Sequence, residues 1–408
     1  MAGVPILVKD LEHVAGMVTT QGSVLFADSE PARVNGTVVE RLTAEGGIVV
    51  GKTNLPEFAT EGYTTNLLFG TTGNPWALPY SPGGSSGGSA AALAAGLAPV
   101  ATATDGGGSI RIPAALCGLV GIKPTNGVVG RWPAPDWLDL STEGPFATSA
   151  EDLRLLWQLE AGPVAGDPTG LPRAALPAVS ESARPSRLIV VERFGSVSPL
   201  PDDIQPLFAD AVANLAEVLD VPPVTMTVHE LFGDANPDED WFTVTTAEHV
   251  ARFGREWVTA SLEAMHPAAR GFMSYGLSVG IDDYLAARRR RYDMVRVVDQ
   301  LLGDADVMVS PTVAAGGWLA DGRITDADEP GSLPGEVFNT ALPNITGNPA
   351  ISLPAGISPV GVPFGVQVIA PRCRDGVLLA LADRWQERHP WPPLAPGYQS
   401  LAAELGLR

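Results

Sequence analysis

Short apolar runs alternate with longer stripes of helical period along most of this chain. Val4 to Val8 is an apolar run ending in Lys9 and Asp10, the pattern of a buried strand whose far end delivers a lysine. Asn35 to Ala44 predicts a helix, with Val38, Val39 and Leu42 apolar, which Gly46 and Gly47 end before a strand at Ile48 to Val50. Ser89 to Leu97 is rich in alanine and therefore in helix propensity. Ile110 to Val120 is apolar enough to be buried chain. The segment from Gly162 to Ser186 carries prolines at 163, 168, 172, 177 and 185, which no regular element tolerates, and predicts a long surface connection. Arg187 to Phe194 reads as a strand. Asp202 to Leu219 reads as a helix, with Ile204, Leu207, Phe208, Ala211, Leu215 and Leu219 on one stripe and Pro201 and Asp202 suited to its start. Trp241 to Leu302 is mostly helical by pattern, and its run Arg288 to Arg291 predicts a solvated face, because four successive side chains on a helix point in different directions. Strands at Ala305 to Pro311, Ile351 to Leu353 and Val366 to Ala370 precede a final amphipathic helix, Asp375 to Arg388, with Val377, Leu378, Leu381 and Trp385 inward. Such alternation predicts a sheet with helical crossovers.

One stretch breaks the alternation: Ser81 to Lys123, SPGGSSGGSAAALAAGLAPVATATDGGGSIRIPAALCGLVGIK. Two clusters of serine among glycines flank the Ala-rich helix. Glycine permits backbone angles and close approaches that a Cβ forbids, so Gly106, Gly107 and Gly108, like Gly83, Gly84, Gly87 and Gly88, can turn successive N–H groups onto one point. A concave set of amides stabilises an oxyanion, and Ser109 ends the second run with a hydroxyl able to attack the carbonyl whose charge they would hold. Gly/Ser-rich chain is often a flexible linker. A linker, however, needs neither the Ala-rich helix nor the apolar run behind it. A phosphate cradle is disfavoured, since neither GxGxxG nor GxxxxGK[ST] surrounds these glycines.

GGSSGGSAAALAAG, followed by TDGGGSIRIPAALCGLVGIKPT, resembles the signature of the amidase signature family of serine hydrolases. The similarity extends to GVPILVKD, GKTNLPEFA and FGTTGNPW before it, and to GNPAISLPAG and GVPFGVQVIAP near the end. Only the middle, roughly Leu153 to Gln300, carries no motif that can be placed. The resemblance implies an α/β fold: a single large domain, residues 1–408, with a central mixed, twisted β-sheet flanked by helices on both faces. Residues 1–152 and 301–408 would form the catalytic core, and 153–300 a divergent, mostly helical, substrate-side region. The resemblance also implies an amidohydrolase acting on a small carboxylic amide, with Ser109 as nucleophile, Ser85 as a bridging serine and Lys9 as base, and with no metal and no cofactor. A cis peptide between Gly84 and Ser85 is expected. Gly106, Gly107, Gly108 and Ser109 would supply the oxyanion hole. Asp105 would order that loop by accepting backbone hydrogen bonds, and Arg111 would partner a carboxylate. Thr60, Glu61 and Tyr63 would contact substrate, as would Trp132, with Trp137 nearby; the alternatives are a polar surface loop and plain aromatic core. A lysine can accept the serine proton only when neutral, and burial, which disfavours the ammonium, is the means.

Two rival readings remain. Gly83 to Gly87 also spells GxSxG, the nucleophile elbow of α/β-hydrolases, which must follow a strand directly. The preceding NPWALPYSP, with three prolines, is a poor strand. In this esterase reading Ser85 needs a histidine, His389 being the candidate. The other rival is a catalytically silent subunit that keeps the fold. In its favour, Asn126 and Thr148 stand where the family commonly has arginine, and the chain begins almost at GVPILVKD where relatives carry a leading segment, so that segment is either truncated or dispensable. A glutaminase subunit of a tRNA-dependent transamidation assembly fits less well, because APDWLDLSTEG stands where that branch has an ASSLDQ-like run. The formal charge of −20 disfavours nucleic acid and anionic membrane surfaces as partners. Two cysteines cannot frame a chain of 408 residues with disulfides, and no signal-peptide pattern opens it. A cytoplasmic enzyme is expected, with a homodimer the candidate assembly.

Overall fold

The computed structural model describes residues 1–176, 185–194, 199–323 and 339–399. Its main sheet has seven strands in the order Pro223–Thr225, Leu188–Val190, Val307–Pro311, Pro363–Ile369, Ala350–Ile357, Val120–Lys123 and Phe146–Ala147. The first three run parallel and every later pairing is antiparallel, so the sheet is mixed, as expected. Strand side chains alternate between faces, and both faces are apolar. Val307, Val309, Ile351, Leu353, Val366 and Val368 pack with Phe208, Leu215, Leu378 and Trp385 on one face, beneath the helices Gln205–Leu219 and Asp375–Arg388. The opposite face takes the helix Arg111–Cys117. Burial on both faces explains why these strands read as near-continuous hydrophobic runs.

That helix lies unusually close to its sheet. A Cβ at Gly365 would fall 2.6 Å from Ala115 Cβ, and one at Gly121 would fall 2.8 Å from Ala114 Cβ. The missing side chains therefore set the height at which the segment following Ser109 rests.

A second, smaller sheet is parallel, in the order Ile48–Thr53, Pro5–Lys9, Val100–Ala101. Lys9 is the last residue of its central strand. Thr102 and Thr104 lie just beyond the end of the neighbouring one. Residues at the carboxyl ends of parallel strands thus converge, the usual place for chemistry in open α/β sheets.

Several expectations shift in detail. The apolar run Ile110 to Val120 is a helix closed by Gly118 in the left-handed conformation (φ 68°) and then a strand, Val120–Lys123. Residues 153–300 are mostly helical but also give the main sheet two strands, Leu188–Val190 and Pro223–Thr225. Arg288 to Arg291 is not a purely solvated face. Within the helix Ile281–Leu302, Arg288 holds Asp139 at 2.7 and 2.9 Å, Arg290 holds Asp240, and Arg291 pairs with Asp139. The described part of the proline-rich connection holds one short helical turn, Arg173–Ala175, and residues 177–184 of it lie outside the described residues. Among the described residues no helix is long and apolar enough to cross a membrane.

Gly365→Ala is expected to lift the Arg111–Cys117 helix, costing about 1–3 kcal/mol of overpacking and lowering activity through displacement of Ser109. Equilibrium denaturation and turnover of the same preparation measure the two effects.

Candidate active site

Lys9 is fully buried, and its Nζ lies 2.8 Å from Ser85 Oγ and 2.7 Å from Thr104 Oγ1. Burial lowers its pKa to about 7, against the opposite pull of Glu12 and Asp105. A neutral amine has N–H groups and one lone pair. As an ammonium Nζ donates to both hydroxyls, and once neutral it can keep its donation to Thr104 while its lone pair accepts from Ser85. The Lys9 backbone N–H donates to Thr102 Oγ1 at 3.0 Å, and that hydroxyl donates to Glu12. Glu12 is itself buried, which pushes its carboxyl up to about 8. A second buried lysine, Lys123, bonds instead to the Pro124 carbonyl and Asn126 Oδ1, at 2.8 and 2.9 Å. Burial alone does not make a base; position does.

The peptide between Gly84 and Ser85 is cis, and the helix Gly87–Ala94 starts two residues later. Ser109 precedes the helix Arg111–Cys117 and is 9% exposed. The turn that carries it is fixed by a buried ion pair. Asp105 accepts from the N–H groups of Gly108 and Ile110, at 2.7 and 3.2 Å, and from Arg111 Nε and Nη2, at 2.9 and 2.8 Å. Burial would raise the Asp105 carboxyl, but the Arg111 guanidinium outweighs it and holds the group at about 2. Arg111 also donates to Gln367 Oε1 and, at 2.6 Å, to Asn344 Oδ1. Asn344 Nδ2 returns to the Asp105 carbonyl at 3.0 Å.

Carbonyls of the glycine run are tied outward. Trp241 Nε1 donates to Gly106 O at 2.6 Å, and the Thr340 hydroxyl donates to Gly107 O. In a trans peptide the N–H opposes the C=O. Holding Gly106 O toward Trp241 therefore aims the Gly107 N–H the other way, while the Gly108 N–H is the one Asp105 takes. The Gly108 amide, expected among the oxyanion donors, is instead taken by Asp105 and orders the loop.

Ser109 lines two cavities. One, of about 420 Å³, is mainly apolar and includes Thr60, Glu61, Gly84, Gly107, Ile112 and Trp241. The other, of about 190 Å³, is the more polar of the two and includes Ser85, Thr104, Glu12, Glu143, Arg131 and Trp132. Trp137 borders both. Of the expected substrate contacts, Thr60 and Glu61 face the first cavity and Trp132, half exposed, the second. Tyr63 lines neither, being packed with Ile112, Leu116 and Trp318. His389, at the end of the helix Asp375–Arg388, packs at a tilt against Trp385 and lines neither cavity. His13 and His249 reach the polar one, but His13 pairs with Thr19 and His249 with Trp137. Among the described residues no histidine hydrogen-bonds Ser85 or Ser109. Nor does a strand lead into Ser85, so the elbow reading loses both its base and its scaffold.

A buried amine thus meets one serine hydroxyl on the wall of a cavity that Ser109 also lines. A family model described as Amidase matches residues 1–379, and the chain belongs to that family. It is 34% identical over 412 residues to the acylamidase of Rhodococcus erythropolis, covering 97% of this chain and 83% of that protein. It is 33% identical to a glutamyl-tRNA(Gln) amidotransferase subunit of a Picosynechococcus species, covering 97% of this chain and 86% of the relative. Among solved structures, 6-aminohexanoate cyclic dimer hydrolase superposes with a TM-score of 0.83 at 30% identity, covering 96% of this chain and 85% of its own. A bacterial aryl acylamidase of the amidase signature family gives 0.82 at 26%, covering 98% and 85%. The protein is a carbon–nitrogen hydrolase with the amidase signature fold.

Sequence reasoning missed Thr104, Glu12, Gln367 and Asn344. Gln367 left a trace, an amide inside the apolar run PFGVQVI. Thr104 left none.

Arg111→Met leaves Asp105 buried without its counter-charge and is expected to cost about 3–5 kcal/mol, read as a shift of the denaturant midpoint.

Proposed function

We propose that this hydrolase cleaves a small carboxylic amide to the acid and ammonia or amine through an acyl-enzyme on Ser109. Ser109 Oγ attacks the amide carbonyl carbon as its proton passes to Ser85 Oγ, and Ser85 gives its own proton to neutral Lys9 Nζ. The N–H groups of Gly106, Gly107 and Ser109 hold the oxyanion; losing one such donor costs about 3 kcal/mol of transition-state stabilisation. Collapse of the tetrahedral adduct breaks the C–N bond while Ser85 protonates the departing nitrogen and recovers a proton from Lys9. Water then repeats the sequence on the ester and releases the acid.

The observation that carries this reading is the buried Lys9 amine 2.8 Å from Ser85 Oγ, with Ser109 and Ser85 on one cavity wall. Ser85 lines the polar cavity, so the leaving amine departs there and the acyl part lies in the larger apolar one. Helices of the 153–300 region complete that apolar cavity, with Trp241 and Phe242 from Pro237–Phe253 and Tyr275 from Pro267–Ser278, which supports its role on the substrate side. The buried thiol of Cys117 and the lone exposed Cys373 suit a reducing compartment, and we place the enzyme in the cytoplasm.

A fluorophosphonate is expected to label Ser109, located by peptide mass spectrometry, and not the Ser109→Ala variant; an adduct on Ser85 would overturn the assignment. Lys9→Ala is expected to lower kcat roughly ten-thousand-fold or more with the fold intact. Below pH 7 the Lys9 ammonium has no lone pair to offer. The kcat/KM profile should therefore rise about tenfold per pH unit up to the lysine's pKa of about 7 and level off above it.

A further inference from the structure

The apolar cavity beside Ser109 holds a carboxyl that the mechanism leaves unused. Glu61 is buried, lines the cavity, and its Oε1 has no hydrogen-bond partner among the described residues. An ionised group buried without a partner is costly. Burial accordingly pushes this carboxyl up to about 8.

Two more carboxyls, Asp238 and Glu239, border the same space from the first turn of the helix Pro237–Phe253. Among the described residues no lysine, arginine or histidine lines it. Four aromatic rings share the wall with small and aliphatic residues: Trp137 and Trp241 meet edge to face with centroids 5.6 Å apart, and Phe242 and Tyr275 lie 4.8 Å apart. Aromatic faces are partially negative and attract cations, most strongly where water is excluded. A purely hydrophobic acyl chain would leave Glu61 without a partner. A cation satisfies the aromatic wall and the carboxyl together, and supplies the counter-charge with which Glu61 can ionise.

The geometry points to an amide substrate whose acyl part carries a positively charged amine, held between Glu61 and the aromatic wall. This rests on the proposed reaction and names the substrate class of that same site. Arrival of such a substrate is also favoured by the net charge of −20.

Two measurements test it. In the first, ω-ammonioalkanamides of four to seven carbons are compared with the uncharged alkanamides in which a methyl replaces the ammonium, by ammonia release. The charged series should have at least tenfold higher kcat/KM at its best length, and Glu61→Gln should cut that ratio about tenfold. Equal rates for the two series, or a ratio that Glu61→Gln does not move, would overturn the inference. The second needs no turnover. Binding of n-hexylammonium, followed by tryptophan fluorescence, should be about tenfold tighter than that of 1-hexanol and lose its advantage in Glu61→Gln; equal binding refutes the cation site. Should Glu61→Gln not fold, Asp238→Asn is read by the same ratios. Cation binding without hydrolysis of either series would sink the proposed reaction and leave the cation site standing; hydrolysis of both series without charge preference would do the reverse.

Discussion

The ion pair between Arg111 and Asp105 is the contact on which the active site depends. Both side chains are fully buried, and each would be prohibitively costly alone in the protein interior. Together, with Gln367, Asn344 and two backbone amides completing their hydrogen bonds, they convert that cost into positional constraint. Three stretches distant in sequence meet on one guanidinium: the glycine turn with the helix that follows it, the central strand Pro363–Ile369 and the helix Ala341–Thr346. Pairs of this kind contribute little net stability, and their cost is justified here by geometry. The turn has few ways to sit, and Ser109 inherits that precision.

Lys9 depends on a different balance. Its strand end is dry because the parallel sheet and the Ala-rich helix close over it, and dryness is what takes the ammonium down to about 7. The nearby carboxyls work against this shift, since Glu12 and Asp105 both favour the charged lysine. Asp105 is largely spoken for by Arg111, and Glu12 is raised by its own burial, so neither restores an ordinary lysine. Desolvation outweighs attraction, and the amine can serve as a base near neutrality.

Much of this is legible from local pattern. A glycine-rich backbone flanked by helix-forming and apolar chain singles out Ser109 locally, whereas Ser85 is singled out by the resemblance of the signature. Lys9 is legible as a strand end because an apolar run closes on it, but only the resemblance of GVPILVKD singles it out as a candidate base. The glycine loop before Ser109 reads less well. Three glycines look equivalent in sequence, but Gly108 gives its amide to Asp105, while Gly106 and Gly107 are glycine because Trp137 and Trp241 press against them; a Cβ there would lie 2.1 and 2.4 Å from those rings. Arg288 to Arg291 misleads for a similar reason. A helix scatters its side chains, but here the partners Asp139 and Asp240 come from elements that surround the helix on more than one side.

What the sequence by itself determined is the alternation of strand and helix, the family, and the candidates for charge and nucleophile, since each is set by neighbours within a few positions. What only the tertiary structure decided is which of them meet. The hydroxyl of Thr104, the carboxyls of Glu61 and Asp238, and the rings of Trp241 and Tyr275 come from four separate stretches, two of them helices in a region without motifs. Their convergence follows from how helices pack on a sheet, and packing is a property of the whole chain that no short window records.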